Sequence, residues 1–182
     1  MPARFVVLIA ASLVALVATA TASADRVQET ALAERYAPVV RIVAHRGECG
    51  PGKPYIPINV DALFGEPTVA LRGPWGGGDL VKIGPTANDL AAGLYDYHLD
   101  FPGSALSPGC DYLHWERRLT AGQEPVVYAH VATDPAHPGK LALQYWFFYV
   151  FNDWNNLHEG DWEMIQLVFD APTAAEALRQ SP

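Results

Sequence analysis

Cysteine is scarce in this chain, with two residues in 182, and basic residues are outnumbered, with 12 Lys and Arg against 20 Asp and Glu. The net charge of -8 excludes backbone-driven binding of nucleic acid, which needs clustered Lys and Arg. It equally excludes charge-driven docking on anionic lipid. Two cysteines cannot build a zinc site by themselves, and no His stands at ligand spacing from either. No Gly-x-Ser-x-Gly occurs, which disfavours a serine hydrolase. The glycine-rich stretch 73–78 lacks the Lys-Ser/Thr of a phosphate loop and reads as a plain turn. There is no internal repeat and no linker. Beyond residue 24 no apolar run approaches the roughly 18 residues that a membrane span requires.

What is present begins with a leader. Arg4 gives a positive start, Phe5–Val17 is apolar but for Ser12, and Ala22-Ser23-Ala24 is a small-x-small cleavage pattern. Residues 1–24 therefore read as a signal peptide, with an uncleaved N-terminal membrane anchor as the alternative, and the protein is expected to be secreted or extracytoplasmic. The remaining 158 residues (182 less 24), at near -9 once Arg4 is removed, suffice for one domain with a real core. Half of all residues are hydrophobic, so the chain is not disordered, and fifteen Gly and fifteen Pro favour many turns over long helices. In an oxidising compartment the loop residues Cys49 and Cys110 are expected to form a disulfide. Two unpaired thiols are the alternative.

The expected class is mainly β, a β-sandwich or jelly-roll-like domain with short helices, and an antiparallel meander in the C-terminal third. A helix is expected over 27–36 and a strand from about Val39, because Pro38 disfavours helix before it. Short helices are expected at 60–64, capped by Asn59, and at 86–94, and a short strand at 69–72. Residues 95–115, rich in Tyr, Pro and Gly, read as irregular cover. Strands are expected at 125–131, 141–151 and 161–169, the middle one buried on both faces because it is apolar throughout. Thr173 and Glu176 form a capping box for a last short helix.

The chemically dense stretch is 152–163. Strand periodicity puts Asp161 and Glu163 on one face. Two neighbouring carboxylates need compensation: a cation, an Arg or a raised pKa. With His158 just before and Asp153 in the same loop, His158, Asp161, Glu163 and Asp153 form a candidate set for a divalent cation, Ca, Mg, Mn or Zn. The bland alternative is a solvated strand start with an exposed His beside it.

Tyr145-Trp146-Phe147-Phe148-Tyr149 followed by His158-Glu159-Gly160-Asp161-Trp162-Glu163 resembles the vacuolar protein sorting-associated protein sixty-two family. Glu34–Arg41, Tyr55-Ile56-Pro57 and Val60-Asp61 are similar to that family's opening, so the likeness covers most of 33–169. It implies no settled activity. A more distant likeness is to the necrosis- and ethylene-inducing toxin family, whose Gly-His-Arg-His-Asp-Trp-Glu motif follows an aromatic strand in a β-sandwich. That resemblance implies a divalent cation held by His158, Asp161 and Glu163, with Asp153 the nearest match to the family's upstream Asp. Here Glu159-Gly160 replaces Arg-His, which puts a shared lipid target in doubt. The Gly-Ser-His-Ala segment that follows in the family is missing, so the chain is expected to lack the C-terminal part of its domain.

These features lead to one functional expectation and two alternatives. The expectation is a secreted module binding a surface lipid or glycan, with a divalent cation. The alternatives are a metal-dependent or carboxylate-based hydrolase and an inactive truncated remnant.

Overall fold

The computed structural model describes residues 25–42, 49, 55–75, 78–91, 93 and 95–180. The leader and its cleavage pattern lie outside the described residues. Short elements dominate. Residues 25–35 are helical and form α1. A 3-10 turn at Val60–Leu63 is capped by Asn59, whose side chain accepts from the Asp61 N–H at 2.9 Å, and Gly65 follows at φ +74°. Then come β1 (Ala70–Arg72), β2 (Leu80–Ile83), α2 (Ala87–Leu90), β3 (His98–Asp100) and α3 (Asp111–Leu119). The long strands β4 (Tyr128–Thr133), β5 (Leu141–Asn152) and β6 (His158–Phe169) come next, and α4 (Ala174–Ala177) closes the series. Thr173 caps α4 through its hydroxyl, which accepts from the Glu176 N–H at 3.3 Å.

The protein is mainly β, with two three-stranded antiparallel sheets and short helices. One sheet has the order β2-β1-β3, with Leu71 facing Lys82 on one side and Leu99 on the other. The other is the β4-β5-β6 meander expected from the sequence. Among the described residues no helix is long and apolar enough to cross a membrane.

The chain packs as two compact units. The first comprises described residues within 1–39, 129–145 and 165–182. Its core holds Leu32, Leu141, Leu143, Tyr145, Phe169, Ala171, Ala174 and Ala177. The Tyr145 hydroxyl donates to the Ala33 carbonyl at 2.8 Å, and the Tyr36 and Phe169 rings lie 5.1 Å apart, so α1 is tied to the sheet. The second unit comprises described residues within 40–128 and 146–164. Its core is Ile58, Leu63, Val69, Phe101, Tyr112, Trp115, Phe148, Val150 and Phe151, with Tyr112 stacked on Phe151 at 4.3 Å. The Cys49–Cys110 disulfide belongs to this unit and closes a loop that contains all of β1, β2 and β3. It is consistent with an extracytoplasmic location.

Three expectations change. The stretch after Pro38 is not a strand: residues 37–42 have no regular structure, Val39 is 86 % exposed, and among the described residues no strand pairs with it. Residues 95–115 are more ordered than their composition suggests, since they hold β3 and the start of α3. β5 is buried on one face only over its first half, where Leu141, Leu143, Tyr145 and Phe147 are buried while Ala142, Gln144 and Trp146 are half-buried.

Candidate functional site

The site lies in the second unit, at the start of β6. The β5–β6 connection is shorter than the polar run 152–160, because β6 already begins at His158. Gly160 sits at φ +67°, a conformation that side-chain-bearing residues rarely adopt. In a regular strand His158 and Asp161, three apart, point to opposite faces. The left-handed Gly160 between them breaks that alternation, and His158 Nε2 lies 3.4 Å from Asp161 Oδ1. The other ring nitrogen, Nδ1, is 2.9 Å from the Asn156 carbonyl oxygen. A carbonyl can only accept, so Nδ1 carries a proton and donates to it, and Nε2 is the ring nitrogen that faces Asp161.

The remaining members of the set are placed less closely. Glu163 is exposed. Burial raises the Tyr149 hydroxyl pKa above its usual value, and the charges of Glu163 and Asp161 raise it further, so both carboxylates act on the same phenol. Asp153 is exposed and acts elsewhere: burial raises the Tyr55 pKa first, and the charges of Asp153 and Glu116 add to it. The structure thus brings His158 and Asp161 into contact, while Glu163 and Asp153 stay exposed on either side of them in sequence. Among the described residues no three His, Cys, Asp or Glu side chains are grouped closely enough to hold a metal ion.

Two carboxylates that the sequence did not single out are better anchored. Glu159 accepts from the Phe101 N–H at 3.0 Å through Oε2 and from the Tyr112 hydroxyl through Oε1. Burial still raises its pKa, and Asp100 adds to the rise. Glu116, on α3, is 2 % exposed and accepts from the Ile56 N–H at 2.9 Å. Burial pushes its carboxyl up to about 7. Glu159 could have been suspected from its place inside the dense motif. Nothing in the sequence marks Glu116 except its helical spacing from Tyr112 and Leu119.

Trp162, 47 % exposed, points to the other side of the strand from Asp161 and Glu163. Its ring lies 5.1 Å from Phe148, 5.8 Å from Tyr128 and 6.3 Å from Trp146. The first unit has a groove of about 450 Å³, lined in part by Asp134, His137, Gln144 and Gln166. Those polar groups satisfy one another: His137 meets Asp134 at 2.9 Å, and the Gln144 amide donates to Gln166 at 2.9 Å.

No family model, no curated protein and no solved structure matches the chain. The function has to be read from the chemistry of these side chains.

Proposed function

We propose that the protein is an extracytoplasmic binding module that recognises a surface glycan or lipid through a divalent cation held by His158, Asp161 and Glu163. The observation that carries this reading is the placement of the His158 ring between the Asn156 carbonyl and Asp161. Metal-ligating histidines almost always donate their second N–H to a carbonyl or carboxylate, which fixes the tautomer and aims the free nitrogen. His158 does this with the Asn156 carbonyl. Two donors about 2.1 Å from one ion in tetrahedral geometry stand roughly 3.4 Å apart, and His158 Nε2 and Asp161 Oδ1 are separated by that distance. Glu163 is the third donor, brought in by rotation of an exposed side chain.

The ion would supply a positive centre on an acidic protein and bridge it to an anionic or hydroxylated group of the ligand. Glu159, the most firmly held carboxylate nearby, has both oxygens engaged by Tyr112 and Phe101 and is a poor general acid or base. A general acid or base needs an oxygen free for substrate. The reading includes removal of residues 1–24 on export and a sandwich-like closure of the sheets.

The test is thermal unfolding of the chelator-treated protein with Ca²⁺, Mg²⁺, Mn²⁺ and Zn²⁺ added singly. Ligand at 100 times its Kd stabilises by about 2.7 kcal/mol, so at least one ion should raise the Tm by several degrees. Asp161→Asn should abolish the rise. A Tm indifferent to all four ions removes the cation and the reading built on it.

A further inference from the structure

The β2-β1-β3 sheet, inside the second unit, has a polar face with an exposed tryptophan beside it. Arg72 on β1 is the direct cross-strand partner of His98 on β3, and Asp100 stands two residues beyond His98, so the three share one face. Arg72 Nε donates to Asp100 Oδ2, and Arg72 Nη1 donates to the Gly78 carbonyl at 3.1 Å. Each side chain of the pair is 36 % exposed. Among the described residues nothing hydrogen-bonds Arg72 Nη2 or Asp100 Oδ1. The pair therefore offers one free donor beside one free acceptor.

Trp75 follows β1, and its ring meets the His98 ring at a steep angle with centroids 5.1 Å apart. That contact brings it to the same face, yet it is 75 % exposed. Its turn is pinned from several sides. The Trp75 N–H donates to the Asp96 carbonyl, the Gly73 N–H donates to the Asp79 carbonyl at 3.0 Å, and Arg72 holds Gly78. Gly73 packs so closely on Tyr97 that a Cβ there would run into the ring. A lone exposed aromatic needs no explanation. One fixed in place beside an uncommitted donor and acceptor is a preorganised contact surface.

We propose that this face binds a neutral oligosaccharide directly, with one pyranose stacked on Trp75 and hydroxyls of the next bonded by Arg72 Nη2 and Asp100 Oδ1. A pyranose has a flat patch of C–H groups, which packs on an aromatic ring, and a rim of hydroxyls, each able to donate and to accept. A guanidinium only donates and a carboxylate only accepts, so neighbouring hydroxyls satisfy both. His98 separates Trp75 from Arg72 by one ring contact and one strand spacing, roughly 10 Å at most, which two sugar rings span. Other ligands fit less of the face. A quaternary ammonium would use Trp75 but cannot accept from Arg72. A lipid chain would cover the ring and leave both polar atoms unpaired. An anionic sugar would meet Asp100 and, on the segments bonded to Gly73 and Trp75, the exposed Asp79 and Asp96. This site needs no metal, and so goes beyond the cation-mediated contact at His158.

The test is isothermal titration of the full chain, with a chelator present throughout, against cellohexaose, chitohexaose, maltohexaose and mannohexaose. At least one should bind with a Kd below about 1 mM, and its monosaccharide far more weakly. Trp75→Ala, at a position too exposed to disturb the fold, should weaken that binding about tenfold or more, and Trp75→Phe should restore most of it. The proposal is overturned if none of the four binds, if Trp75→Ala binds as the wild type does, or if binding appears only when a divalent cation is added. Preference for tetramethylammonium or for a heparin hexasaccharide overturns it as well. The chelator keeps this outcome apart from that at His158, whose failure is read from thermal shifts with added metal.

Discussion

Glu116 shows how one residue couples the fold to pH. Its carboxyl titrates near 4.5 in an unfolded chain and near 7 when buried in the fold. Between those values the folded state holds a proton that the unfolded state has lost. Stability is therefore greatest below about 4.5, falls as pH rises through the interval, and levels off above 7. A difference of this size corresponds to a penalty on the order of 3 kcal/mol at alkaline pH. Glu116→Gln keeps an oxygen to accept from Ile56 N–H but cannot ionise. Urea titrations at pH 5 and pH 8 should show the wild type losing stability between them and the variant losing far less. Equal losses in both proteins would mean that the carboxyl is already charged at pH 5.

Gly160 acts at the same scale through the backbone. Its φ of +67° costs a residue with a Cβ about 1–2 kcal/mol. A Cβ there would meet the Phe148 and Phe101 rings only at ordinary contact distance, 3.7–4.0 Å, so strain and not crowding sets the cost. Gly160→Ala should lower stability by about that amount, measured by chemical denaturation. If the backbone relaxes toward a regular strand, His158 and Asp161 return to opposite faces, and any ion-induced rise in Tm should be lost with the stability. A variant that keeps both would show that the left-handed turn is incidental.

At the scale of elements, legibility followed how purely each segment expressed its period. The meander was readable because β4, β5 and β6 are long and rich in β-branched and aromatic residues, and α4 because Thr173 and Glu176 mark its start. α3 was missed although Tyr112, Trp115, Glu116 and Leu119 keep helical spacing. A charged residue at a core position hid the apolar stripe, and the preceding Ser-Pro-Gly suggested a loop. β2 is apolar at three of its four positions, but Leu80-Val81-Lys82-Ile83 is too short to show a period between its flanking glycines. β5 was overread: a run of aromatic residues looks two-sided, yet Gln144 and Trp146 lie on a half-open face. The site was legible as a composition, not as a geometry. Periodicity paired Asp161 with Glu163, whereas the close contact is Asp161 with His158, made possible by a backbone turn at Gly160 that no side-chain pattern encodes.

At the scale of the whole molecule, the acidic charge, the disulfide and the expected export belong to one argument. A chain with 20 acids against 12 bases gains little from ion pairing, and its exposed pairs, such as Lys82 with Asp89, contribute little to stability. The Cys49–Cys110 bond spans 61 residues and encloses the whole β1–β3 sheet, so its effect on the unfolded ensemble is large, about 4 kcal/mol in the chain-entropy model. Against a typical domain stability of about 5–15 kcal/mol, that is a substantial share. A reducing compartment would withdraw it. The Cys49→Ser, Cys110→Ser double variant should therefore unfold at a urea concentration lower by about 1–4 M, taking m near 1–3 kcal/mol per molar. Reductant should move the wild type to the same midpoint and leave the variant unmoved. If reduction leaves the wild-type midpoint in place, the loop is held by its packing instead, through Phe101 and Trp115, whose rings lie 4.9 Å apart. The fold would then have no need of an oxidising compartment.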